Sequence, residues 1–307
     1  MDTNTEILHD FAPFFRILKN GSIQRLVGTE FVPAGQDTTT GVTSKDVTID
    51  PNCNLSVRLF LPPNPSKSEK LPILIYFHGG AFILESAFSP AYHAYVGSLA
   101  SNCNVLAVSV DYRLAPEHCV PAAYDDSLAA IQWVLSCKDD WLAEFGDFNQ
   151  IFMAGDSAGG NIAHNMALRE IGTKIERLIL FHPWFGGSEP KVTDEGHMKS
   201  RFVTNMLWKY ACPASDGVDD PRINPMAQDA PSLTGLNCKR LLVCWAGKDG
   251  LKEWQKAYYE AVKNSGYQGE VEMCESEGEE HCFHITTPGR EKAKELMDLV
   301  ASFFSKN

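Results

Sequence analysis

The chain has 307 residues, of which 44% are hydrophobic and 21% charged. That balance fits a globular protein with a sizeable core and excludes a disordered one. The formal net charge of −12 repels phosphate backbones and anionic lipid, so neither nucleic acid nor a membrane surface is expected as a partner.

Taken in chain order, the start at residues 1–10 is polar and acidic, without the basic and apolar regions of a signal peptide. Residues 7–18 carry apolar side chains at helical spacing. Residues 55–61 alternate apolar and polar, as a half-buried strand does. Residues 71–77, 105–110, 151–154, 175–181 and 241–245 are short apolar runs, as strands covered on both faces would be. Helical patterns fall at 122–135, 160–171, 251–264 and 290–304. Strands alternating with helices predict an α/β fold: a mostly parallel central sheet with helices on both faces. The first strands are joined without helices, which predicts an antiparallel or mixed edge. From Trp184 to Leu236 the alternation breaks, and Phe202, Met206, Leu207, Trp208 and Tyr210 mark an apolar helix of their own. We expect one domain over 1–307, with the N-terminal segment 1–25 and the insertion 184–236 as a cap.

Nine cysteines lie between Cys53 and Cys282 without a C-x-x-C pair, which removes the usual metal and redox spacings. Their odd number, with no signal peptide, points to a reducing compartment and hence to the cytoplasm. No apolar run approaches the roughly 20 residues of a membrane span.

The chemistry begins at the run 151–154, which leads into Gly155-Asp156-Ser157-Ala158-Gly159 and then a helix. This is G-x-S-x-G between strand and helix, the turn that lifts a serine oxygen clear of a sheet. The five letters alone are a weak signal; their setting makes them a strong one. Ser157 is the expected nucleophile, and the following helix aims its positive end at the charge that develops on a substrate carbonyl. That charge needs backbone N–H donors from the residue after the nucleophile and from a second loop. Ala158 supplies the first. The strand at 71–77 ends in His78-Gly79-Gly80-Ala81, and Gly79 and Gly80 are the expected second source. His78 reads as a structural residue of that loop.

Ser157 needs a base, and the base needs a carboxylate to fix its tautomer. His164, His182 and His197 read as packed or solvated side chains. His281 and His284 follow the short strand at 271–274 and precede the last helix, where a base belongs. The run 241–245 leads to Asp249, the expected acid, which can also cap the next helix. Cys282 reads as packing. Phe82, Ile83, Trp184, Phe185 and Phe283 are candidates to line a substrate pocket. No metal and no organic cofactor is implied, and the oligomeric state is open.

His78-Gly79-Gly80, Gly155-Asp156-Ser157-Ala158-Gly159, Asp249 and His281-Cys282-Phe283 resemble the pattern of the hormone-sensitive-lipase-like hydrolases. The run Asp111-Tyr112-Arg113-Leu114-Ala115-Pro116-Glu117 does so too. Within that family the chain is most similar to plant carboxylesterases and 2-hydroxyisoflavanone dehydratases, over nearly its whole length. The resemblance implies the α/β-hydrolase fold and assigns the base to the His of H-x-F, His281. It implies a serine carboxylesterase acting on a small-molecule ester. Ala81 departs from the third glycine of many relatives. Gibberellin receptors and some lyases share the fold, but with an altered triad or oxyanion loop; here Ser157, Asp249 and His281 are all present. A dehydratase or cyclase and a non-catalytic receptor are the alternative readings, which fold alone does not separate.

Overall fold

The structure is a computed structural model that describes residues 6–189 and 195–305. Its N-terminal end is a three-stranded antiparallel sheet of β1 (Ile7–Phe11), β2 (Phe15–Leu18) and β3 (Ile23–Arg25). The helix expected over 7–18 is therefore corrected. Pro13 falls in the middle of that segment, where it removes a helical hydrogen bond, and the chain turns there instead. Phe15 and Ile17 point into the core, while Ile7, Leu8 and Phe14 stay exposed.

The main sheet has eight strands: β4 (Thr43–Asp50), β5 (Leu55–Leu61), β6 (Leu71–Phe77), β7 (Leu106–Asp111), β8 (Gly146–Asp156), β9 (Ile175–Phe181), β10 (Cys238–Ala246) and β11 (Glu270–Ser276). Their spatial order is β4-β5-β7-β6-β8-β9-β10-β11. The pairs β4/β5 and β5/β7 are antiparallel, and every pair from β7/β6 onward is parallel. The mixed edge thus lies where the short links predicted it.

β5 is more deeply buried than its alternation suggested, because Arg58 is itself fully buried. Its guanidinium binds both oxygens of Asp46 at 2.7 and 2.8 Å and faces the rings of Phe31 and Phe88. A polar letter in the pattern here marks a paired, packed cation rather than a solvent face.

Two apolar layers cover the sheet. One takes up α2 (Ala122–Leu135), α4 (Ala158–Ala167) and α6 (Lys252–Asn264); the other takes up α1 (Pro90–Cys103) and α8 (Glu291–Ser305). Short α3 (Asp140–Phe145) precedes β8, and α7 (Phe283–Thr286) precedes α8. The sequence reading passed over α1, although Tyr92, Tyr95, Val96, Leu99 and Ala100 repeat at helical spacing behind Pro90 and all are buried. In the insertion, α5 (Glu195–Ala211) is a helix, and Trp208 at its C-terminal end is fully buried. His197 lies outside the described side chains.

Candidate active site

β8 ends at Asp156, α4 starts at Ala158, and Ser157 alone makes the turn between them. Its backbone has φ 51° and ψ −116°, a left-handed conformation that costs a non-glycine residue on the order of 1–3 kcal/mol. The surroundings hold it there. The Ser157 N–H donates to the Phe181 carbonyl at 2.9 Å, and the Ser157 carbonyl accepts from Trp184 N–H at 2.8 Å and Asn161 N–H at 3.0 Å. The flanking glycines are a steric requirement. A Cβ on Gly159 would stand 1.9 Å from the Phe77 carbonyl oxygen, and one on Gly155 would stand 2.3 Å from the Gly159 oxygen.

β10 delivers Asp249 just beyond Ala246, and the loop after β11 delivers His281. His281 Nε2 lies 2.9 Å from Ser157 Oγ, and its Nδ1 lies 2.6 Å from Asp249 Oδ2. The Asp249 carboxylate is buried and fixed from several sides. Oδ1 accepts the Leu251 N–H at 2.8 Å, so Asp249 also opens the turn into α6, and Oδ2 accepts from Gln255 Nε2 at 3.0 Å. Gln255, fully buried, also donates to the Pro183 carbonyl at 3.2 Å. The sequence reading missed Gln255; its polar amide on the buried face of α6 was the available signal.

Burial alone would lower the His281 pKa, but the charge and hydrogen bond of Asp249, together with the neighbouring Cys282, outweigh burial and hold the imidazole well above its ordinary value. Burial alone would raise Asp249; the facing His281 brings its carboxyl well below the usual range. His284 sits at the opposite extreme. It is buried against Tyr95, Phe181 and His182, neither ring nitrogen has a hydrogen-bond partner among the described residues, and burial pushes its pKa well down. His78 stacks on Tyr112 with ring centres 4.2 Å apart, and burial lowers it to about 4. His164 contacts Tyr258 Oη at 2.9 Å, and burial lowers it to about 3.

The oxyanion loop requires one revision. The Gly79 N–H donates to Tyr92 Oη at 2.9 Å, so it is engaged within the protein and is not free for a ligand. The N–H groups of Gly80 and Ala81 have no partner among the described residues, and that of Ala158 opens α4, where no intrahelical acceptor exists. Gly80 is a glycine for two reasons: its φ is +104°, and a Cβ would lie 2.2 Å from the Leu84 carbonyl oxygen.

Gly80, Ala81, Ser157 and His281 are each partly open to solvent, within surroundings that are otherwise buried. The five side chains expected to line a pocket are instead core. Ile83 and Phe185 have no accessible surface, and Phe82, Phe283 and Trp184 have between 1% and 3%. Phe185 packs on Tyr258 and His164, and Phe283 stacks on His182 in the layer beside α8. Phe82 and Trp184 meet the ring of Trp208, which ties α5 to the oxyanion loop.

One trio could attract a metal, since His182, His281 and Cys282 bring ligand atoms within 4.8 Å of one another. Its nitrogens are committed elsewhere. His182 Nδ1 accepts the Cys282 N–H at 2.7 Å, which leaves the proton on Nε2, while Asp249 and Ser157 occupy the two nitrogens of His281. Among the described residues no helix is long and apolar enough to cross a membrane.

The α/β-hydrolase fold family model matches residues 74–285. The chain is 45% identical to 2-hydroxyisoflavanone dehydratase of Glycyrrhiza echinata, covering 98% of this chain and 97% of that protein. It is 42% identical to probable carboxylesterase 1 of Arabidopsis thaliana, covering 99% of each. A hyperthermophilic esterase from the archaeon Pyrobaculum calidifontis superposes with a TM-score of 0.70 at 27% identity, covering 85% of this chain and 84% of that one. With this fold and these relatives, the chain belongs to the hormone-sensitive-lipase-like α/β-hydrolases, an enzyme family of carboxylesterase type that includes plant carboxylesterases and 2-hydroxyisoflavanone dehydratases.

Proposed function

We propose that this chain is a serine carboxylesterase that cleaves small to medium carboxylic esters through an acyl-enzyme. The carrying observation is the continuous relay from Asp249 through His281 to Ser157, with both links at hydrogen-bond length. Ser157 Oγ attacks the ester carbonyl as His281 Nε2 takes its proton. Asp249 keeps the Nδ1–H tautomer in place and stabilises the imidazolium. The N–H groups of Gly80, Ala81 and Ala158 receive the oxyanion, each worth on the order of 100- to 1000-fold in rate. His281 then protonates the leaving alcohol, and water attacks the acyl-enzyme by the same route in reverse.

The N-terminal sheet and the 184–236 insertion act as the cap that selects the substrate. Two contacts support this role. Arg25 of β3 donates to the Ile83 and Ala115 carbonyls and pairs with Glu117, and Trp208 of α5 packs on Phe82. Nine free thiols support a reducing compartment, and we assign the cytoplasm.

The second reading is a lyase, favoured by the 45% identity to a protein named as a dehydratase. Turnover in heavy-oxygen water separates the two. Hydrolysis of an aryl acetate places the heavy oxygen in the acid product, whereas elimination yields an unsaturated or cyclised product without it. Covalent labelling of Ser157 by a fluorophosphonate without ester turnover would overturn the esterase reading in favour of the lyase.

A further inference from the structure

We propose that Tyr92, held by Asp156, is a positioning residue that sets the oxyanion loop against the nucleophile. The inference rests on the hydrolase reading of the same site. Asp156 precedes Ser157 and is almost completely buried, yet it faces donors from three separate parts of the chain. Its Oδ1 accepts from Tyr76 Oη of β6 at 2.8 Å. Its Oδ2 accepts from Tyr92 Oη of α1 at 2.7 Å and from Cys282 Sγ, beside the base, at 3.6 Å. An ionised carboxylate only accepts hydrogen bonds, so it suits this convergence of donors.

Tyr92 extends the connection by one step. Its hydroxyl proton is given to Asp156, so its lone pair is directed to the Gly79 N–H at 2.9 Å. That bond fixes the orientation of the peptide just before the unpartnered N–H groups of Gly80 and Ala81. The loop fits closely on this side: a Cβ on Gly79 would stand 2.4 Å from Asp156 Oδ2 and 2.8 Å from Tyr92 Oη. On the other side, Tyr112 Oη donates to the His78 carbonyl at 2.6 Å. The oxyanion loop is thus held between two tyrosines, and one of them is hydrogen-bonded to the residue before the nucleophile. Oxyanion donors act only when their geometry is preset to within about 0.5 Å, and this chain of bonds presets it. Tyr76 offers an internal comparison, because its hydroxyl binds the same carboxylate and, among the described residues, makes no hydrogen bond to the loop.

The test compares Tyr92→Phe, Asp156→Asn and Tyr76→Phe by kcat and KM on an aryl acetate, by the rate at which a fluorophosphonate labels Ser157, and by melting temperature. Tyr92→Phe and Asp156→Asn should lose about 10- to 100-fold in kcat with KM within about threefold, and phosphonylation should slow in parallel. Tyr76→Phe should lose a comparable amount of melting temperature and retain most of its kcat. A Tyr92→Phe enzyme that melts lower but turns over like wild type per labelled site would overturn the inference, as would equal kcat losses in the two tyrosine variants. If Tyr92→Phe does not fold, Asp156→Asn carries the test on the same readouts. Wild-type protein that labels at Ser157 without hydrolysing esters would sink the hydrolase reading instead, and the phosphonylation rates would still judge Tyr92.

Discussion

His281 Nε2 and Ser157 Oγ meet at 2.9 Å although 124 positions separate them in the chain, and Ser157 reaches the contact only by adopting a positive φ. Two consequences follow for substitutions at Ser157. Ser157→Ala removes the nucleophile and keeps the strained backbone, so ester turnover should fall by several orders of magnitude with little change in melting temperature. Ser157→Gly is equally inactive but relieves the left-handed strain. It should therefore melt higher than Ser157→Ala, by up to about 2 kcal/mol of stability. Calorimetry of the two variants checks this, and a lower-melting glycine variant would show that the turn carries no strain.

The two histidines of the tail loop make opposite predictions. His281→Gln should be nearly inactive, because the glutamine side chain cannot pass a proton between Ser157 and the leaving alcohol. His284 has two buried nitrogens without partners among the described residues, and each such group costs about 1–3 kcal/mol. His284→Leu should keep most of the activity and melt at or above the wild-type temperature. Loss of turnover in folded His284→Leu would mean that this ring, rather than His281, serves the serine.

Much of this site was legible because catalysis imposes local sequence patterns. The serine turn needs glycines on both flanks for steric reasons that hold wherever the turn occurs, and Gly155 and Gly159 show them in full. The acid and the base follow the ends of apolar strands, which periodicity locates. What stayed hidden depends on contacts between distant elements. Tyr92 looks like any aromatic on a helix face until α1 places its hydroxyl between Gly79 and Asp156. The consumption of the Gly79 N–H, which moves the free donors on by one residue, cannot be seen in the motif His78-Gly79-Gly80-Ala81. Phe82, Ile83 and Phe283 adjoin the catalytic motifs and Trp184 and Phe185 follow the end of β9, yet these positions in sequence placed all five under the site rather than open to it. The N-terminal hairpin was misread because Ile7, Phe11, Phe14, Phe15 and Leu18 mimic a helical repeat across a proline.

The pH profile should reflect the elevated pKa of His281. The imidazole must be neutral to accept the serine proton, so kcat/KM rises as pH passes through its pKa. Asp249 holds that pKa well above the ordinary value, which places the acidic limb above the range of a solvated histidine near 6.5. Asp249→Asn removes the charge. Its residual activity should be lower by about 10⁴-fold, with an acidic limb displaced to lower pH. An unshifted limb in that variant would show that Asp249 does not set the basicity of His281.

Asp156 predicts a pH dependence of stability with a definite sign. Burial raises its pKa from 3.8 to about 6, against the hydrogen bonds from Tyr92 and Tyr76 that favour the ionised form. Between roughly pH 4 and 6 the native protein therefore binds more protons at this position than the unfolded chain does. The contribution of Asp156 to stability is greatest below the unfolded pKa and is lost as pH rises through the folded one, by roughly 3 kcal/mol in all. Asp156→Asn cannot titrate. Subtracting the variant's unfolding free energy from that of wild type at each pH cancels the other carboxylates and leaves this group. The difference should move against wild type from pH 4 to pH 6 and level off above it. A flat difference would mean that Asp156 titrates alike in the native and unfolded chain, its burial fully offset by the hydroxyls of Tyr76 and Tyr92. A difference moving in favour of wild type would mean that those hydroxyls hold its pKa below that of the unfolded chain.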